Sequence, residues 1–231
     1  KVFNWGYFSE PEPALDGRPM DAARGRGLGG SSAINGMVYV RGHARDFDEW
    51  ESLGATGWNY RSCLPYFQRA ESWMHGGDDY RGGDGPVGTS NGNNRKNPLY
   101  QAFINAGVEA GYGLTDDYNG YRQEGFGPMH MTVKGGVRSS TRRSYLEPVR
   151  SRSNLTVMTG AEVERIELEE GVAKRVVFKK AGAVKVVSTR REVVLSAGSI
   201  GSPSILQRSG IGPAKVLSDA GIAMVLSLIH I

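Results

Sequence analysis

Between Arg24 and Tyr39 the chain reads Arg24-Gly25-Arg26-Gly27-Leu28-Gly29-Gly30-Ser31-Ser32-Ala33-Ile34-Asn35-Gly36-Met37-Val38-Tyr39. Four glycines within six residues restrict the fold here more than any other feature. Backbone without Cβ atoms approaches other groups closely and adopts left-handed conformations. Ser31, Ser32 and Asn35 follow, with hydroxyl, amide and main-chain donors at short spacing. Donors on a Gly-rich turn that enters a helix suit an anion, typically the phosphates of a nucleotide. A Gly-rich surface loop capping a helix fits the same residues, so the segment alone leaves both readings open.

A literal G-x-G-x-x-G lies at Gly25, Gly27 and Gly30. The dinucleotide fingerprint needs a hydrophobic strand directly before it. Pro19-Met20-Asp21-Ala22-Ala23-Arg24 has no β-branched run, so this is not a first Rossmann turn. Asp46, Asp48 and Glu49 downstream sit in a helix-like stretch rather than at a strand end.

A chain of 231 residues can bury one good core or two small ones. Its single cysteine, Cys63, excludes an internal disulfide and a multi-cysteine metal site, as expected in a reducing compartment. No apolar run approaches the ~18 residues of a spanning helix. No signal peptide is visible, and the first residue is Lys1 rather than Met, which leaves an upstream targeting segment open. The net charge is +4, and from Lys134 to Glu192 there are 14 Lys/Arg against 7 Asp/Glu. Those cations alternate with Val, Ile and Glu and lack interleaved aromatics. A solvated strand face therefore accounts for them better than nucleic-acid binding does, while peripheral contact with an anionic membrane surface stays open.

Arg45 to Trp50 reads as a short amphipathic stretch, and residues 54–127 are turn-rich. Within the latter, Pro98 to Ala110 has Leu99, Phe103, Ala106 and Ala110 at helical spacing. A further helix is expected to open at Ser140 or Thr141, a hydroxyl capping the turn that carries Arg142 to Val149. Beyond that come β-rich runs at Leu155–Thr159, Val163–Leu168, Val172–Phe178, Val184–Val187 and Glu192–Ala197. The first and last are apolar enough for a buried parallel sheet, whereas the middle three alternate like an exposed antiparallel meander. The run ending at Ser196-Ala197-Gly198 leads into a helix from Pro203 to Arg208, a natural phosphate- or flavin-facing turn.

The Arg24–Tyr39 segment resembles the first signature of the glucose–methanol–choline (GMC) flavoprotein oxidoreductases. Gly198-Ser199-Ile200-Gly201-Ser202-Pro203-Ser204-Ile205-Leu206-Gln207-Arg208-Ser209-Gly210-Ile211-Gly212 resembles the second. Asn4-Trp5-Gly6-Tyr7, Gly82-Gly83-Asp84-Gly85-Pro86 and Glu124-Gly125-Phe126-Gly127 are also similar, most of all to the family's choline dehydrogenase branch. The resemblance covers roughly residues 1 to 222.

This resemblance implies a mixed α/β (α+β) fold: an incomplete, FAD-binding Rossmann-like domain with a β-meander, plus part of a substrate-binding domain. Residues 1–53 and 151–222 then belong to the FAD-binding domain and 54–150 to the lid and substrate domain. Residues 223–231, with His230, depart from the family pattern. The resemblance further implies an internal piece of a longer enzyme, whose dinucleotide fingerprint lies upstream and whose catalytic His lies downstream. No catalytic residue is therefore expected among His43, His75, His130 and His230, and the piece by itself is expected to be inactive.

Laid on this chain, the family's cofactor contacts are Gly27, Gly29, Gly30 and Ser31 in the turn, then Asn35, Gly36, Met37 and Val38 beside the flavin and its pyrophosphate. Gly27 stands where the family more often has a branched aliphatic residue. Val163 corresponds to a backbone contact with the adenine edge, and Ala197 and Gly198 to a strand end facing the cofactor. Ile34 occupies the place where some relatives carry a His that binds flavin covalently, so non-covalent FAD is implied. The implied reaction is oxidation of choline or a similar small primary alcohol to the aldehyde, by hydride transfer to flavin N5. A GMC enzyme acting on aliphatic or aromatic alcohols, or an inert flavin-binding piece, are the alternatives. A small alcohol is the implied partner and nucleic acid is not; the electron acceptor is unspecified. The location implied is cytoplasmic, or peripheral on the inner face of a membrane.

Overall fold

Local capping sets most helices of this chain. His43 Nδ1 accepts from the Arg45 amide while Asp46 accepts from the His43 amide, which starts α1 (Ala44–Ser52). Asn59 accepts from the Ser62 amide at the head of α2 (Tyr60–Ala70), and Asn97 caps α3 (Pro98–Glu109), where Pro98 supplies a pre-set φ. The computed structural model describes residues 2–92 and 96–227 and divides the chain into two compact units, 1–156 and 157–231.

In the first unit, residues 2–25 form a ribbon held by isolated bridges Asn4↔Gly25, Phe8↔Asp21 and Glu12↔Arg18. The helices α1 and α2 pack through Phe47, which meets Trp50, Tyr60 and Phe67 ring against ring. From α2 the chain runs directly into β1 (Glu71–Trp73), which pairs in parallel with β2 (Val87–Thr89). The connection between them needs backbone to touch backbone: a Cβ on Gly82 would overlap the Gln68 carbonyl, and one on Gly85 the Ala70–Glu71 peptide. That is the physical content of the Gly82–Pro86 motif. A two-residue hairpin, β3 (Val133–Lys134) with β4 (Val137–Arg138), precedes a π-helical turn at Arg142–Leu146 and a 3-10 turn at Glu147–Val149.

In the second unit β5 (Ala161–Glu169), β6 (Val172–Lys180) and β7 (Ala183–Ser188) form an antiparallel meander in sequence order. Ile166, Val177 and Phe178 are buried, and α4 (Gly198–Arg208) packs on β5 with Ile205 buried. Leu217 of α5 (Ala214–Asp219) is buried as well. Ser209 staples the end of α4 to the sheet: its hydroxyl accepts from the Ile166 amide at 2.8 Å and donates to the Ile205 carbonyl at 2.7 Å.

The meander and α3 form as the sequence predicts. Four other expectations are corrected. Leu155–Thr159 and Glu192–Ala197 are not strands, because no described segment offers either a hydrogen-bonded ladder. The helix expected from Pro203 begins five residues earlier, at Gly198, and carries Pro203 inside it. The turn at Thr141 has no hydroxyl cap: Thr141 Oγ1 reaches the Gly29 carbonyl at 3.2 Å instead. Finally, the Gly-rich segment enters only one 3-10 turn, Gly30–Ala33, and leaves it without continuing into a helix. Within the basic stretch the cations of the meander lie on a solvated strand face, where Lys179 pairs with Glu164, and Arg175 with Glu167 and Glu169. Arg138, Arg142 and Arg143 do not belong to it and line a cavity instead. Residues 93–95 and the His230 terminus lie outside the described residues.

Candidate functional site

The glycines of the first motif do two different jobs. At Gly25 a Cβ would overlap the Gly30 carbonyl, and at Gly29 (φ +92°) it would come within 3.2 Å of Arg142 Cβ. Those two glycines close the loop on itself and on a segment more than a hundred residues away. At Gly27 (φ +138°), Gly30 (φ +51°) and Gly36 the same test meets nothing within 4 Å. There the backbone is bare toward open space. Gly27, Gly30 and Ile34 line a cavity of about 770 Å³ together with Arg26, Arg138, Arg142 and Arg143. Glu147, the one carboxylate in that wall, is held by Arg142 at 2.7 Å, and this hydrogen bond sets its carboxyl below the ordinary value.

Ser31 is turned into the scaffold: its hydroxyl accepts from the Gly25 amide at 3.0 Å, and its carbonyl receives the Ile34 and Asn35 amides. Asn35 Oδ1 accepts from the Met37 amide at 3.2 Å, which supports the positive φ of Met37 (+63°). Met37 lines a second cavity of about 750 Å³, shared with Trp73, Thr89, Met131 and Lys134. The Met37 carbonyl accepts from the Thr132 amide at 2.8 Å, and the Tyr39 amide donates to the His130 carbonyl at 2.8 Å, so Val38 bridges Met131. Among the described residues the main-chain N–H groups of Gly27, Gly36 and Val38 have no hydrogen-bond partner.

Directly behind residues 37–41 lies a buried charge network. Glu71 is fully buried and accepts from Arg41 Nη2 (2.6 Å), Arg81 Nη2 (2.5 Å), Arg81 Nε (3.0 Å) and Thr89 Oγ1 (2.5 Å). Arg81 also donates to both Asp117 oxygens at 2.8 and 2.9 Å, and its guanidinium stacks 3.9 Å from the Trp73 ring centroid. Two arginines thus face two carboxylates, and each charge has several partners, as burial demands. Burial alone would lower the Arg81 pKa, yet Glu71 and Asp117 outweigh it and raise it. Tyr39 and Tyr118, beside the network, are raised by burial. His130 is buried between Tyr118 and Trp73, with Nδ1 3.1 Å from Asn119 Nδ2.

In the second unit, Val163 pairs with Phe178 just before a register shift in the β5–β6 ladder, and its carbonyl accepts from Arg208 Nη2 at 3.3 Å. Ala197 and Gly198 (φ +84°) form the head of α4. No side chain caps that helix, and a Cβ on Gly198 would meet nothing within 4 Å.

Residues 12–226 match the GMC oxidoreductase family. The chain belongs to that family. As a GMC oxidoreductase sequence it is 59% identical over 223 residues to the oxygen-dependent choline dehydrogenase of Photobacterium profundum, covering 96% of this chain and 39% of that protein. It is 58% identical over 227 residues to the enzyme of the same name from Vibrio vulnificus, covering 98% and 40%. The chain therefore spans about 40% of the length of these relatives. Its fold matches the pyridoxine 4-oxidase of Mesorbium loti with a TM-score of 0.93 at 34% identity, over 99% of this chain and 45% of that one. It also matches an FAD-dependent oxidoreductase from Chaetomium thermophilum with a TM-score of 0.91 at 31% identity, over 99% and 42%. The GMC fold inferred from the two signatures is thus the fold found.

Sequence reasoning missed two parts of this arrangement. The Arg41–Glu71–Arg81–Asp117 network joins residues up to 76 apart, with no local signal in any one segment. Arg138 was passed over inside a basic stretch, although it touches Asn35. Phe126 packs on Phe103 and Tyr112, whereas Trp58 and Tyr66 are exposed.

Proposed function

We propose that the protein carrying this chain is an FAD-dependent enzyme that oxidises choline or a similar small primary alcohol to the aldehyde. The observation that carries this is the 59% identity to a choline dehydrogenase over nearly the whole chain. The loop residues fit the cofactor. Bare backbone at Gly27, Gly30 and Gly36, with unpartnered N–H groups at Gly27, Gly36 and Val38, is what main-chain contact with a flavin and its diphosphate requires. FAD, when bound, supplies the hydride acceptor at flavin N5.

In this reading residues 1–53 and 151–222 belong to the FAD-binding domain, and 54–150 to the lid and substrate domain. Asn35, Gly36, Met37 and Val38 hold the flavin from one side through main-chain atoms. Gly29 and Ser31 shape the turn from behind. Val163 offers backbone to the adenine edge, and the head of α4 at Gly198 faces negative charge, the Ala197 amide itself being taken by the Ser202 hydroxyl at 2.9 Å. Arg26, Arg138, Arg142 and Arg143 make the first cavity electropositive, which favours phosphate. With Ile34 before Asn35, the flavin is held without a covalent bond through this segment. No base is assigned within the described residues: His43 caps α1 and His130 is built into the core. An inner-face, membrane-peripheral or cytoplasmic location accompanies this reading, supported by the basic stretch and the lone cysteine. Among the described residues no helix is long and apolar enough to cross a membrane.

Purified full-length protein tests the assignment. It should carry flavin absorbance that is released on denaturation, and dye-linked assays should show turnover with choline. Turnover of aliphatic or benzylic alcohols but not choline would overturn the choline assignment alone. A second reading, an oxidase of a cyclic or aromatic alcohol, is favoured by the fold match to pyridoxine 4-oxidase. Oxygen consumption with pyridoxine in place of choline separates the two.

A further inference from the structure

Arg138 stands at an unusual place. It ends β4, and it is the one residue in the walls of both the 770 Å³ and the 750 Å³ cavities. Its Nη1 donates to Asn35 Oδ1 at 2.8 Å, to the Asn35 carbonyl at 2.8 Å and to the Ser32 carbonyl at 3.2 Å. Two hydrogens thus serve three acceptors on one turn. Among the described residues no hydrogen bond from its Nε or Nη2 is made. Asn35 Oδ1 in turn holds the Met37 amide, which fixes Met37 in a left-handed conformation that a residue with a side chain rarely adopts.

We propose that Arg138 is the positioning residue of the cofactor loop. By clamping Ser32 and Asn35 it holds Gly36–Val38 with the free N–H groups of Gly36 and Val38 toward the cofactor, and it partitions the two cavities. This rests on the reading that Asn35–Val38 lies against FAD. The physics favours arginine over any other side chain here. A guanidinium is planar and permanently charged, so one nitrogen can be spent on three carbonyl-type oxygens while the others remain available to a polar group in either cavity. Lysine offers a similar charge without the fixed fork, and glutamine a single weaker donor group. Because the clamp works through Asn35, losing Arg138 and losing Asn35 should damage the same arrangement.

The test is a double-mutant cycle in the full-length protein with added FAD, read by flavin fluorescence. Arg138→Met and Asn35→Ala should each weaken FAD binding about tenfold or more and shift the bound flavin's visible absorption. The double variant should be no worse than the worse single, the signature of residues acting as one unit. Arg138→Lys should restore part of the affinity, while Arg175→Met on the exposed meander face should change nothing. If Arg138→Met fails to fold, Arg138→Lys and Arg138→Gln carry the same comparison with Asn35→Ala. An Arg138→Met affinity within twofold of the parent, or effects that multiply independently, would overturn the proposal. A parent protein that takes up no FAD would sink the cofactor reading instead. The clamp is then judged on the apoprotein: Arg138→Met should speed chymotrypsin nicking at Leu28 or Tyr39, and an unchanged rate overturns it.

Discussion

Glu71 and Arg81 form a doubly hydrogen-bonded ion pair in which neither side chain touches solvent: Arg81 Nη2 meets Glu71 Oε1 at 2.5 Å while Arg81 Nε meets Oε2 at 3.0 Å. Ten residues apart, they are brought together by the parallel turn from β1 to β2, whose glycines let Gly82 lie on the Glu71 carboxylate. A pair of this kind is costly to break, because each partner left behind is a buried charge. Glu71→Gln should destabilise the protein by about 3–5 kcal/mol, read as a lower urea midpoint and a lower Tm with wild-type FAD stoichiometry at low temperature.

The two classes of loop glycine should separate experimentally. Gly25→Ala drives a Cβ into the Gly30 carbonyl and should cost about 1–3 kcal/mol of stability. Gly36→Ala has open space and no positive φ, so its stability should stay within about 0.5 kcal/mol of the parent. If Gly36 lies against the flavin as proposed, FAD affinity should nevertheless fall in Gly36→Ala, measured by fluorescence titration, because the added methyl enters that space.

The proposed non-covalent flavin attachment rests on one side chain. With Ile34 in place of a nucleophilic imidazole, acid precipitation of the full-length holoprotein should leave all flavin in the supernatant and none in the pellet. Flavin fluorescence remaining on the denatured polypeptide in a gel would show that another residue forms the bond.

Three carboxylates set an acid limb. Lys179 holds Glu164 below its ordinary value of 4.5, Arg175 and then Arg165 do so for Glu167, and Arg142 for Glu147. A depressed folded pKa contributes stability above the unfolded value, lost as pH falls through the lower folded one. Thermal midpoints should therefore fall as pH drops below 4.5, and Glu164→Gln should flatten that limb. Added salt should weaken the effect, since all three groups face water.

Tyr39 and Tyr118 give the opposite limb. Burial raises both above the ordinary 10.0. The stability they contribute is fully present below 10.0 and disappears as pH rises through the folded values. An ultraviolet titration of the ten tyrosines should show at least two ionising late, together with unfolding.

Much of this was legible from the chain. The meander was readable because alternating Val, Ile and charged residues in short runs with Gly turns permit little else, and α3 because Leu99, Phe103 and Ala106 keep helical spacing beneath an Asn-Pro start. The two signatures carried the family because each is a long string of residues constrained one by one. Leu155–Thr159 and Glu192–Ala197 were misread because an apolar run only states that burial is wanted, and a strand exists only where a neighbour supplies hydrogen bonds.

What the sequence determined by itself is local: caps, turns, periodicity, and a Gly-rich loop with bare backbone. Which glycines serve the loop and which face outward was decided only by tertiary structure, because Gly25 and Gly27 look alike until the Gly30 carbonyl is in place. The same holds for Arg138 and for the Arg41–Glu71–Arg81–Asp117 network. A charged side chain reads as solvent-facing in any local window. Only the folded chain, by bringing acceptors from a distant segment within 3 Å, gives Arg138 its hold on Asn35.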